Sequence, residues 1–289
     1  MAELWETDPN APWLALVVGN TRLHWAGFRA GQIQAVCHTP PLTAAQVNQL
    51  IQAMGTPRAW VALFAQQVDS DHFQTFLAAW EETVPSPIDL HCASVVPEQT
   101  ALWRSYPGFH EVQLADLPLR NQYPTLGIDR ALNLLGAGDR YGWPILVIDA
   151  GTALTFTAGT SSGKSSRLLG GAILPGLTLQ FNALHQATAA LPELSVPSAL
   201  PLRWSIDTVS AIQSGVVLGA LATIRDFIAH WHRQEPSGKV VLTGGDGPDL
   251  FNWLSTERPL SGLSQDANLM FWGLHSYRQQ QQTRTLWQK

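Results

Sequence analysis

Apolar residues in this chain fall in short continuous runs, and glycine turns separate them. Residues 14–28, LALVVGNTRLHWAGF, read as two strands around a Gly19-Asn20 turn, the pattern of a tight hairpin. Residues 145–159, ILVIDAGTALTFTAG, repeat the design around Gly151-Thr152. QAVCHT extends the first sheet. Residues 43–54 carry helical spacing with Thr43 as cap. RAWVALFA reads as a buried strand, residues 69–83 as a helix capped near Asp69 or Ser70, and IDLHCASVV as another strand. The proline-bearing residues 107–124 read as a loop and a domain junction.

Beyond that junction, LGIDRALNLLGAGDRYG predicts a helix opening near Gly127, and the second hairpin follows. SSGKSSR is a polar turn. LLGGAILPGL is a short strand entering a helix with Pro175 near its first turn, and that helix ends before Pro192. A proline-rich loop reaches Ser205. Asp207 or Thr208 then caps a long amphipathic helix, followed by the strand KVVLTGGDG. Strands alternating with helices, with hairpins mixed in, predict an α/β fold. A length of 289 residues favours two domains, 1–124 with the first hairpin and 125–289 with the second.

Composition narrows the class of partner. Hydrophobic residues are 45% of the chain and charged ones 13%, with 22 acidic against 17 basic residues and a formal charge of -5. Without a Lys/Arg-rich run, broad attraction to a phosphate backbone is disfavoured, so no nucleic-acid partner is expected. A nucleotide is still compatible, because a few backbone amides hold a phosphate without a basic surface. Cys37 and Cys92 sit in no CxxC pattern; a reduced compartment is the simplest reading, with a single disulfide left open. The N-terminus is acidic and polar, and no run approaches ~18 uninterrupted apolar residues. The expectation is a soluble cytoplasmic protein with no membrane partner.

Several stretches carry candidate chemistry. GKSS, residues 163–166, resembles the end of a P-loop, but the glycine that motif needs five positions earlier is Ala158. In the two hairpins, glycine lets backbone approach a ligand and the following threonine adds a hydroxyl. Two such turns facing each other would clamp phosphates; two ordinary hairpins are the alternative. Asp149 ends the run ILVI, where an acid is costly unless it serves a ligand or cation. The matching position of the first hairpin is Val17. LTGGDG offers Gly244 and Gly245 for a base or ribose. In GIDR, Asp129 either complements a helix dipole or accepts a substrate hydroxyl proton while Arg130 holds an anion. His24, inside the first motif, either touches phosphate or packs across the strands. Trp13, Trp25 and Trp60 read as core. His230 and His232 diverge on a helix and form no zinc site. The run RQQQQTR reads as a solvated tail.

Taken in order, VVGNT, GIDR, IDAGTALTF, GGAILPGL, DTVSAIQSG and LTGGD resemble the motifs of type III pantothenate kinases, from about Leu14 to Asp246. The resemblance implies membership of the actin-like, sugar-kinase and heat-shock chaperone ATPase superfamily. That means two ribonuclease H-like domains with mixed β-sheets flanked by helices and a nucleotide cleft between them. It implies ATP-dependent phosphorylation of the pantothenate hydroxyl to 4'-phosphopantothenate, the first step toward coenzyme A. It further implies a homodimer, Mg2+ with the ATP, and a monovalent cation, K+ or NH4+. By position, Gly19, Asn20, Thr21 and Arg22 match the first phosphate motif, and Thr152 is a phosphate contact in the second. Asp149 matches the monovalent-cation ligand and Asp129 the general base. Gly127, Ile128, Asp129 and Arg130 match the pantothenate site. Thr208 matches a threonine that reaches pantothenate across the dimer interface, and Gly244 and Gly245 the adenosine loop.

Two departures stand out. The family's first motif begins with an aspartate where this chain has Val17, so cation handling differs or activity is weaker. A family tyrosine seven residues before Gly127 is replaced by Arg120, with Tyr123 nearby as a substitute. Three readings follow: an active pantothenate kinase, a nucleotide-binding regulator of the same fold that has lost the chemistry, and a related kinase acting on a sugar.

Overall fold

The computed structural model describes residues 11–67, 70–80, 84, 86–162, 165–257, 260 and 262–287. The chain forms two compact units. One comprises Met1–Pro118, Pro124–Leu132 and Met270–Lys289, the other Leu119–Tyr123 and Asn133–Leu269.

The first unit is built on β1 (Trp13–Val18), β2 (Leu23–Arg29), β3 (Gln32–Thr39), β4 (Asp89–Ser94) and β5 (Phe109–Glu111), in the order β3-β2-β1-β4-β5. β1 is antiparallel to β2 and parallel to β4. Because side chains alternate across a strand, Leu14, Leu16, Val18, Leu23, Trp25 and Cys37 share one face and enter the core. Helices α1 (Ala44–Gln52), α2 (Pro57–Phe64) and α3 (Asp71–Ala78) close it with Val47, Trp60, Phe64 and Phe73, and the short α4 (Pro97–Ala101) follows β4. Trp13, Trp25 and Trp60 are all buried, as expected. Cys37 and Cys92 are both buried, and neither is in a disulfide among the described residues.

Three expectations are corrected by the structure. RAWVALFA is helix α2 rather than a strand. Thr56 caps it by accepting the Ala59 N–H at 3.3 Å, Pro57 occupies the first turn, and Trp60, Leu63 and Phe64 fall at helical spacing on the buried side. Residues 107–124 are not simply loop. They hold β5 and the two-residue β6 (Leu119–Arg120), which pair in parallel with β4 and with β9 (Ser165–Pro175). Strands this short depend on their partners and leave no periodic signal. RQQQQTR is part of helix α9 (Leu269–Trp287), and Arg278 within it is only 4% exposed. Thr43 does cap α1, with a capping box to Gln46. Ser70 precedes α3, but its hydroxyl donates to the Phe64 carbonyl at 2.6 Å instead of capping. Asp69 lies outside the described residues.

The second unit repeats the design. β7 (Ile145–Ala150), β8 (Ala153–Ser162), β9, β10 (Lys239–Thr243) and β11 (Leu263–Gln265) lie in the order β11-β10-β7-β8-β9-β6. β7 is antiparallel to β8 and parallel to β10, matching β1 with β2 and β4. The duplication legible in two hairpins therefore extends to the whole sheet, giving the α/β fold of two mixed sheets flanked by helices. Pro175 ends β9 instead of entering the next helix; Gly176 caps α6 (Leu177–Gln186). Asp207 caps α7 (Thr208–Gln234) by accepting the Ser210 N–H at 2.9 Å. By length and composition α7 is apolar enough to cross a membrane, but Val217, Leu221, Ile224 and Ile228 pack into this unit's core. His230 and His232 diverge on α7: His230 meets Arg233, His232 the Gly238 carbonyl. Gly163 and Lys164 of the GKSS stretch lie outside the described residues. Helix α8 (Gly247–Glu257) follows β10, and helix α5 (Ile128–Tyr141) begins in the first unit and ends in the second.

Candidate functional site

In the second unit, Leu146, Ile148 and Ala150 of β7 enter the core, so Asp149 stands on the other face. There the Asn133 side chain of α5 donates to its Oδ2 at 2.9 Å. Asn133 is 2% exposed. Thr155 is the cross-strand partner of Asp149. Among the described residues, Asn133 Oδ1 and Thr155 Oγ1 are buried without a hydrogen-bond partner. A carboxylate, an amide oxygen and a hydroxyl are oxygen donors of the kind that suits a hard cation, and the two buried oxygens without a partner fit such a group.

The neighbouring turns are fitted around this acid by glycines. Gly151 N–H donates to the Ala153 carbonyl at 3.1 Å, and Gly176 N–H to the Thr152 carbonyl at 3.0 Å. A β-carbon at Gly176 would collide with the Gly151 and Thr152 carbonyls. Gly244 has φ +89°, and a β-carbon there would strike the Ala150 carbonyl and lie 2.5 Å from Asp149 Oδ1. Asp246 N–H donates to the Ala150 carbonyl at 2.9 Å. Burial, then the neighbouring Asp249, raises the Asp246 pKa above the usual carboxylate range. The second hairpin turn and the Gly244-Gly245 loop are thus joined at the ends of β7 and β10. Thr152 is exposed at the surface of that junction.

In the first unit, the hairpin turn is closed by Gly19 N–H to the Arg22 carbonyl at 3.0 Å, and Asn20, Thr21 and Arg22 are exposed. Val17 is buried, facing His24 across the strands. Burial, with help from His38 and Arg22, lowers the His24 pKa to about 4, so its imidazole is neutral at pH 7. At the start of α5, Asp129 is half-buried and its Oδ1 accepts the Arg130 N–H at 2.8 Å. A β-carbon at Gly127 would collide with that oxygen, so glycine is needed for the carboxylate to stand there. Ile128 is buried, and Arg130 is buried too at 7% exposure. Thr208 is exposed at the first turn of α7. With Gln180, Leu184, Ala211 and Gly215 it lines an open groove of about 480 Å³. Arg120 on β6 and Tyr123 just after it are both exposed.

Sequence reading missed Asn133, Thr155, Gly176 and His38. Asn133 was findable, as the one amide inside the apolar run ALNLLGAG. The other three acquire meaning only through strand register and turn contacts.

Two mixed sheets, each opening on a strand–glycine turn–strand hairpin, one hairpin carrying a half-buried acid beside the buried oxygens of Asn133 and Thr155, and a helix that opens on an acid and an arginine, define a two-unit α/β protein. The family model of type III pantothenate kinases matches residues 13–230. The type III pantothenate kinase of Nostoc sp. (strain PCC 7120) is 44% identical over 268 residues, covering 91% of this chain and 93% of that protein. Its counterpart in Synechocystis sp. (strain PCC 6803) is 39% identical over 271 residues, with 93% and 91% covered. The chain belongs to the type III pantothenate kinase family, and it is a kinase.

Proposed function

We propose that this protein transfers the γ-phosphoryl group of ATP to the hydroxyl of pantothenate, giving phosphopantothenate for coenzyme A synthesis in the cytoplasm. The observation that carries the reading is the Gly127–Arg130 run at the head of α5, where the Asp129 carboxylate is pinned by a backbone N–H. Asp129 accepts the proton as the hydroxyl oxygen attacks the γ-phosphorus; the bond from phosphorus to the β–γ bridging oxygen breaks and ADP leaves. Ile128 and Arg130 shape the pantothenate site, with Tyr123 and Thr208 as further contacts. The amides and hydroxyls of Gly19, Asn20, Thr21, Arg22 and Thr152 take up phosphate charge, and Gly244 and Gly245 lie along the adenosine. Mg2+ bound to the ATP supplies charge neutralisation. Asp149, Asn133 and Thr155 would hold K+ or NH4+.

The regulator reading finds no support among the relatives, which are kinases by name. With ATP, Mg2+ and K+, the protein is expected to convert pantothenate, and not glucose or mannose, to a phosphomonoester detectable by mass. A sugar phosphate instead would sink the assignment of substrate.

A homodimer is part of the proposal. The segment before α7 exposes Trp204 at 88% and Ile206 at 106%, beside exposed Leu202 and Val209, and clustered exposed apolar side chains are the kind of surface that marks a protein–protein contact. Trp204→Asp combined with Ile206→Asp is expected to halve the mass seen by analytical ultracentrifugation while the circular dichroism spectrum stays unchanged. A wild type that already sediments as a monomer contradicts the dimer.

A further inference from the structure

The hairpin turn of the first unit holds a histidine pair. Val17 of β1 faces His24 of β2, and His24 faces His38 of β3, so the three stand in one cross-strand row. Leu16, Val18, Leu23, Trp25 and Cys37 enter the core, which places the row on the sheet's other face. His24 Nδ1 lies 2.9 Å from His38 Nδ1, and the rings meet edge-on with centroids 4.8 Å apart. The far nitrogen of His24 reaches the turn: a β-carbon at Gly19 would lie 3.6 Å from its Nε2. The corresponding row of the second unit is Asp149, Thr155 and Ile173, an acid and a hydroxyl where the first has valine and imidazole.

We propose that His24 donates a hydrogen bond from Nε2 to a terminal phosphate oxygen of the nucleotide held at the Gly19–Arg22 turn, with His38 setting its tautomer. This rests on the kinase reading. A neutral imidazole carries one proton, and a hydrogen bond at one nitrogen fixes which. When His38 Nδ1–H donates to His24 Nδ1, His24 must carry its own proton on Nε2. The opposite arrangement would aim a bare lone pair at phosphate, which an anion disfavours. Both rings are kept neutral near pH 7 by burial, and Arg22 adds to the effect. Val17 fits the same design. A carboxylate at that position would face His24 directly and compete for its N–H, so the apolar side chain leaves the donor to the phosphate. The two hairpins thereby divide the labour: the second presents an acid for a cation, the first presents neutral donors for an anion.

The experiment is calorimetric titration of the full chain and its variants with MgATP and with AMP, alongside KM for ATP and for pantothenate. Glutamine places an amide N–H near the position of Nε2, whereas asparagine places its amide near Nδ1. His24→Ala and His24→Asn are expected to weaken MgATP binding ~10-fold or more, the range for a hydrogen bond to a charged group. His24→Gln is expected to recover most of that loss. AMP affinity and the KM for pantothenate should stay within ~2-fold. His38→Ala should weaken MgATP binding by a smaller factor, because it frees the tautomer without removing the donor. Unchanged melting temperatures keep the comparison clean. Equal losses in Gln, Asn and Ala, equal losses for AMP and ATP, or no loss in any variant would overturn the proposal. Wild-type protein that binds MgATP with this variant pattern but shows no pantothenate turnover would overturn the kinase reading and leave the His24 assignment standing.

Discussion

Replacing Asp129 by Asn is expected to lower pantothenate-dependent turnover by ~10²–10⁴-fold, equivalent to about 2.7–5.5 kcal/mol of lost transition-state stabilisation. The substitution is nearly isosteric. Asn keeps an oxygen that can accept the Arg130 N–H, the 2.8 Å bond that positions this side chain, and it asks nothing new of Gly127. What it removes is the ability to take a proton. The KM for ATP and the melting temperature should therefore change little while kcat collapses. A loss confined to KM, with kcat preserved, would show that Asp129 binds substrate without serving as base.

The second large effect concerns stability. Asp89 joins three elements of the first unit: its Oδ1 lies 2.7 Å from His110 Nε2 on β5, and its Oδ2 lies 3.1 Å from His91 Nε2 on β4 and 3.3 Å from Arg278 Nε on α9. Arg278 also sits over the Trp13 ring at 5.2 Å, and Trp13 stacks on Phe28 at 4.3 Å. Asp89→Ala strands a buried guanidinium, which typically costs about 3–5 kcal/mol. Urea denaturation with an unchanged slope should report that loss; a change under ~1 kcal/mol would mean the cluster acts as an exposed pair does. The pH dependence has a definite sign. Burial of Asp89 opposes its charge, but hydrogen bonds from His110 and His91 and their charges outweigh burial and hold the carboxyl well below the usual range. Its contribution is therefore complete above the unfolded carboxylate pKa of about 3.9 and is lost as pH falls toward the depressed folded value. His24 adds a loss higher up. With its folded pKa lowered to about 4, the unfolded chain binds more protons between there and about 6.5, so stability also drops as the pH is lowered through that window and rises as it is raised.

Much of this architecture was legible in the residues. The two glycine hairpins, the capped helix at Thr43, the α5 opening at Gly127 and the strand before Gly244 all lie where the apolar pattern and turn chemistry put them. Local rules suffice there because each element carries its own cap, turn or period. RAWVALFA misled because a continuous apolar run fits a buried helix and a buried strand equally, and the deciding signal was the Thr56-Pro57 start just outside it. Arg278 misled for a different reason. A polar glutamine run looks solvated, and only the distant Asp89 makes its arginine a buried residue. The same holds at the site. Asp149 announced itself by ending an apolar strand, whereas Thr155 and His38 are defined by what stands opposite them across the sheet.

Val17 occupies the position at which the motif it resembles carries an acid, so turnover by the wild-type chain is the decisive observation. The most direct measurement is the initial rate of ADP release by the purified wild-type chain with MgATP and K+, with and without pantothenate. Release is expected to depend on pantothenate and to saturate with it, showing that a valine at position 17 is compatible with phosphoryl transfer. Bound ATP with no pantothenate-dependent release would contradict it.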